Sequence, residues 1–131
     1  MINFFSKYKF IFYLANVFLI ILYIYPGSIL GYVIYSDLQT QPQITRDYII
    51  SSNHLYAFAI LSLIGFLTYK NSKKIRYLSA YLITVSIFLE IFHNFIPERS
   101  FEYSDLFGNL AGVIIVIIVF NLLKIYENYK I

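Results

Sequence analysis

The 131-residue chain contains no cysteine, which excludes disulfides, a thiol nucleophile and thiolate metal sites together. Charge is scarce as well. Asp, Glu, Lys and Arg make up 13% of residues, against about 25% in ordinary soluble domains. A chain this poor in charge cannot clothe a soluble surface, and its hydrophobic fraction of 60% and mean hydropathy of +0.69 place it among integral membrane proteins. Proline occurs three times, and two of the three are boundaries: Pro26 beside Gly27, and Pro97 at the end of an apolar run. No internal repeat, linker or low-complexity segment is present, and the length allows one domain. The formal charge of +3 does not point to nucleic acid, because Lys70, Lys73, Lys74 and Arg76 sit in one short loop between apolar segments.

Four apolar stretches remain, at about residues 4–25, 50–69, 77–96 and 105–125. The first is apolar from Phe10 to Tyr25 except for Asn16, and Lys7 and Lys9 can reach the headgroups from within it. A cleaved signal peptide is the competing reading. Tyr25, Pro26 and Ile29 occupy the place of a small-x-small site, which favours an uncleaved span. Residues 28–35 are apolar but too short to cross, and lie at the interface or pack back on the bundle. The expected fold is all-α, a polytopic bundle of four transmembrane helices in a single domain. Its orientation follows from charge. The N-terminus, the 70–76 loop and the C-terminal tail are basic. The 26–53 and 97–104 connections each carry two acids and one Arg, net −1. Both termini are therefore expected in the cytoplasm, N-in and C-in, with the second and third and the third and fourth helices as antiparallel neighbours.

This topology gathers the polar residues at one depth, near the outer surface. His54 opens the second span, Glu90 and His93 lie near the end of the third, and Asp105 and Asn109 open the fourth. Glu90 lies about 10 Å below Pro97 along its helix and Asn109 about 6 Å below Asp105. Glu90, His93, Asn94 and Pro97 share a helical face by spacing, as do Asp105, Asn109 and Gly112. Two polar faces at equal depth turn toward each other rather than toward lipid, with Gly112 permitting close approach. Each residue also has a plainer role. Asp105 can be a first-turn acid, Asn109 interhelical glue, His54 an interfacial histidine, and Arg99 a counter-charge to Glu90 or Glu98 or a contact for lipid phosphate. Glu90 is the hardest to assign so, because an apolar residue would suit its position better. Glu90-x-x-His93 has the spacing of carboxylate-bridged bundles, but those take two such motifs and two further glutamates. His54, His93, Glu90 and Asp105 can supply only a mononuclear set, and no metal or other cofactor is expected.

The ordered run Glu90, Pro97, Arg99, Asp105, Asn109, Gly112, with His54 upstream and the Pro26-Gly27 turn after the first span, resembles the VanZ-like family of small bacterial membrane proteins. The likeness covers about residues 20–125. Two positions depart: Ile50-Ser51 stands where the family commonly has Asp-Lys, and His93 where it usually has glutamine. The second departure weighs against metal ligation by His93 as a shared mechanism. The resemblance implies a multi-pass protein of the bacterial inner membrane, and the family's namesake is associated with low-level glycopeptide resistance. The expectation is an outer-leaflet pocket for a lipid-linked saccharide or phospholipid headgroup. Glu90 and His54 would be its catalytic pair, and Arg99, Asp105, Asn109 and His93 its binding groups. Membrane lipids are the expected partners, the oligomeric state is open, and the alternative is a cluster that only locks helix packing.

Overall fold

The computed structural model describes residues 4–130, and among them the regular structure is entirely helical. A short α1 (Phe4–Lys7) leads into α2 (Phe10–Ile24), followed by α3 (Ile29–Tyr35), α4 (Ser52–Tyr69), α5 (Ile75–Phe92) and α6 (Tyr103–Tyr129). A single 3₁₀ turn, His93–Phe95, extends α5.

Local chemistry accounts for the breaks. The residue before a proline is pushed out of the helical region. Tyr25 accordingly turns extended, and Gly27 takes a φ of +93° that favours glycine. The Ser28 side chain then accepts from the Gly31 N–H at 2.9 Å and starts α3 at 84° to α2. Most of α3 is exposed and apolar, while Gly31 is buried beneath the Thr40 carbonyl. This bend makes α3 a helix lying across the end of the bundle rather than a continuation of α2. On α4, the Asp47 carboxylate accepts from the Ser52 N–H at 2.7 Å, and so satisfies a first-turn donor from outside the helix.

Two helices, α5 with its 3₁₀ turn and α6, are long and apolar enough to cross a membrane, or three elements if α2 and α3 are taken as one bent span. α2 alone, with 15 residues, is about 22 Å long. α4 has 18 residues, but its first turn is the polar Ser52-Asn53-His54. Across the structure, apolar side chains face outward in bands, with Leu14, Val17, Phe18 and Ile21 on α2 and Ile115, Ile118, Val119 and Leu122 on α6. That surface suits lipid rather than water.

The four longer helices form a bundle with α4 at its centre, burying His54, Phe58, Leu61, Ser62, Gly65 and Phe66. α5 and α6 are antiparallel, as Asn109 meets Ser86 and Glu102 meets Glu90. The most extensive contact, however, is between α4 and α6, which run parallel. They are tied at one end by Ser51 N–H to the Ser104 carbonyl at 3.0 Å and at the other by Lys70 to Glu127 at 3.3 Å. Gly108 and Gly112 make this contact possible. A Cβ on Gly112 would sit 2.5 Å from the Leu55 carbonyl oxygen, and one on Gly108 would sit 2.6 Å from that of Ser51. The close approach expected of Gly112 is thus made to α4, two helices back in the chain, and not to α5.

Candidate functional site

The polar residues converge where α2 ends, α4 begins, α5 ends and α6 begins. Tyr23 comes from the last turn of α2, and His54 from the first turn of α4. Glu90 and His93 come from the end of α5, and Asp105 and Asn109 from the first two turns of α6. Glu90 and Asn109 are fully buried, and His93 is 1% exposed. Buried groups of this kind need partners, and the partners define their orientation.

Asn109 is fixed by chemistry at both ends of its amide. Its Nδ2 donates to the Ser86 carbonyl at 3.0 Å, and a carbonyl can only accept, so Oδ1 faces the other way. There it accepts from the Tyr23 hydroxyl at 2.7 Å and lies 3.0 Å from His54 Nδ1. His54 therefore carries its proton on Nδ1, leaving Nε2 to face Asp105 Oδ2 across 3.5 Å. The same argument applies to His93, whose Nε2 donates to the Tyr23 carbonyl at 3.1 Å. Its Nδ1 lies 3.3 Å from Glu90 Oε1. Glu90 Oε1 also accepts from the Glu102 N–H at 3.1 Å. Glu90 Oε2 has no hydrogen-bond partner among the described residues and lies 3.8 Å from His54 Nδ1.

Tyr23 is the member that sequence reasoning missed. Its hydroxyl bridges His54 and Asn109, its carbonyl holds His93, and its ring stacks on His93 at 5.5 Å. Nothing in its type marks it among 14 tyrosines. The one available signal is its place a turn before Pro26, at the same end of the bundle as the other polar groups.

Arg99 differs from its expected role as counter-charge to Glu90 or Glu98. Its Nη2 donates to the carbonyls of Leu22 at 2.9 Å and Gly27 at 2.7 Å, and its Nε to Tyr25 at 3.2 Å. It is a cation at the C-terminus of α2, where orphan carbonyls and the helix dipole favour one. Among the described residues it forms no ion pair. Asn94 and Pro97 also depart from expectation, because both are exposed. The helix tightens to a 3₁₀ turn at His93, and the 3.6-residue phase that would have aligned them with Glu90 is lost.

The network is sealed on most sides but meets a groove at His54 and Tyr23. This cavity, of about 370 Å³, lies between α4 and the α3 segment with its following loop. Its apolar walls include Ile29, Ile34, Ile44 and Ile60, and Tyr23, His54 and Arg99 are among its polar lining residues, with Ser28, Gln41, Asn53 and Tyr56. The volume falls in the range of small-molecule sites, about 300–1,000 Å³. One ligand atom each of His54, Glu90 and Asp105 lie within 4.8 Å of one another. Zinc draws its donors to about 2.0–2.2 Å, so these three could hold such an ion only by moving inward.

No protein-family model, curated protein or solved structure matches this chain.

Proposed function

We propose that this chain is a VanZ-like protein of the bacterial inner membrane, crossing it with four helices and with both termini in the cytoplasm. In this reading the His54 groove takes a lipid-linked saccharide or a phospholipid headgroup from the outer leaflet. The observation that carries the proposal is that His54 belongs both to the buried network and to an apolar-walled groove. An amphipathic ligand would lay its chain along Ile34 and Ile60 and bring its head to His54, with Arg99 at the same mouth. His54 is the group placed to give or take a proton, with the Glu90 and Asp105 carboxyl groups on either side of its ring. Supporting the membrane placement are the outward apolar faces and the basic 70–76 loop at the end opposite the site.

The structural alternative has its own observation: Glu90, His93 and Asn109 are fully or almost fully buried and bond across helices. One experiment separates the two. His54→Ala, Glu90→Gln and Arg99→Lys are each compared for folded yield, thermal stability in detergent and envelope phenotype, including teicoplanin susceptibility. Normal folding with a lost phenotype for His54→Ala is the expected result. Loss of thermal stability in all three, with phenotype falling only in proportion to folded protein, sinks the binding reading.

A further inference from the structure

A second cavity lies at the opposite end of the bundle and shares no residue with the His54 groove. It is a cleft of about 870 Å³ between the end of α4, the turn that follows, the start of α5 and the last turns of α6. Its rim carries Lys70, Lys73, Arg76 and Lys124 against one carboxylate, Glu127, four cations to one anion. Lys70 is engaged, with Nζ 3.3 Å from Glu127 Oε1. Lys73, Arg76 and Lys124 are exposed, and among the described residues they make no ion pair. Behind the rim, beside the polar Ser79 and Asn121, lies an apolar patch. Phe66 is buried, its ring centroid is 5.0 Å from that of Phe120, and Ile117 lies on the same lining.

A cationic rim above an apolar patch, at the level where two apolar helices emerge from their membrane-crossing length, matches a molecule with a negative head and a hydrocarbon tail. We propose that this cleft is a binding site for an anionic phospholipid. The phosphate sits among Lys73, Arg76 and Lys124, which come from separate elements, and an acyl chain runs against Phe66, Ile117 and Phe120. Free phosphate would meet the same cations but leave the apolar patch uncovered. The three free cations set the expected scale, because each Lys or Arg near a surface contributes about 1 kcal/mol toward an anionic lipid. Even half of that sum corresponds to roughly a tenfold preference over a zwitterionic lipid.

The test is native mass spectrometry of the full chain in neutral detergent. Phosphatidylglycerol and phosphatidylcholine with the same acyl chains are supplied at equal concentration. Phosphatidylglycerol adducts are expected in about tenfold excess, falling to near parity in Lys73→Gln/Arg76→Gln/Lys124→Gln. A control, Lys7→Gln/Lys9→Gln/Lys130→Gln, removes the same formal charge from residues outside the cleft lining and should keep the preference. No preference in the native chain overturns the proposal, as does a preference that survives the cleft variant or is lost equally in the control. Displacement of the lipid by glycerol phosphate at matching concentration assigns the site to free phosphate and overturns the lipid claim. Should the triple variant lose helicity, the three single variants carry the test. Each is expected to lower the preference about twofold, and three unchanged singles count against the site.

Discussion

At the scale of single residues, the buried network is held by Asn109 more than by any of its ionisable members. Asn109→Ala removes the acceptor for the Tyr23 hydroxyl and His54 Nδ1, and the donor to the Ser86 carbonyl, all in a buried setting. Stranded buried groups cost about 1–3 kcal/mol each, so this variant should lose at least that much unfolding free energy in detergent. Tyr23→Phe strands less, because Asn109 Oδ1 keeps His54, and about 0.5–1.5 kcal/mol is expected. In a double-mutant cycle the two losses should fall short of additivity, and strict additivity would mean that the hydroxyl and the amide do not share a bond. Asp47 offers a separate test outside the membrane. Hydrogen bonds, led by the Ser52 backbone N–H, hold its carboxyl below the ordinary value. A group whose folded pKa is depressed adds stability above its unfolded pKa and loses it as pH falls through the folded value. Protection of the amides at the start of α4, taken relative to the intrinsic exchange rate at each pH, should therefore fall as pH drops through the acidic range, and Asp47→Asn should remove that loss of protection. The carboxylates and histidines of the network were readable from spacing, because a charged group in an apolar run has few plausible explanations. Tyr23 was not, since a tyrosine in an apolar run is ordinary. Arg99 was readable as important but not as a cap, since only the bend at Pro26 turns the α2 carbonyls toward it.

At the scale of elements, the boundaries follow from local chemistry while the helix pairing does not. Pro26, Gly27 and Pro97 mark the ends of α2 and of the α5 segment, and the Asp105 to Gly112 spacing runs through the start of α6. Short connections argue for neighbours in sequence order, yet the tightest interface joins α4 to α6. It depends on two glycines four residues apart, Gly108 and Gly112, whose significance emerges only against a facing backbone. Gly112→Ala is the sharp test. Its Cβ would meet the Leu55 carbonyl oxygen at 2.5 Å and the Ala59 nitrogen at 2.8 Å, neither of which can move without the whole of α4. Separating the helices should cost about 1–3 kcal/mol and should also weaken the His54–Asn109 bond, which spans the same interface. Gly65→Ala meets side chains instead, Phe12 at 2.9 Å and Leu78 at 3.2 Å, which can rotate. Thermal unfolding in detergent should rank Gly112→Ala well below Gly65→Ala. An equal fall would mean that general helix packing, and not backbone contact, sets the cost.

At the scale of the molecule, helix directions and charge make one prediction between them. α2 and α5 run one way, as Asn16 pairs with Tyr81 and Tyr23 with His93, while α4 and α6 run the other. The 36–51 loop and the 97–102 connection therefore lie at the site end, and the turn after α4 lies at the other with the end of α6. The site-end connections are slightly acidic and the opposite end is basic, the asymmetry that orients membrane proteins. Because the chain has no cysteine, a single introduced thiol reports its side without a background. Gln41→Cys and Asn71→Cys are both in exposed polar turns and should fold normally. In intact bacterial cells a membrane-impermeant maleimide should label the first, and should label the second only after permeabilisation. Labelling of both from outside would deny that α4 crosses at all, which its polar first turn makes a real alternative. The reversed pattern would keep the bundle but turn the His54 groove toward the cytoplasm. An outer-leaflet ligand would then be impossible, and the basic cleft would face the wrong leaflet for the charge rule that predicts it.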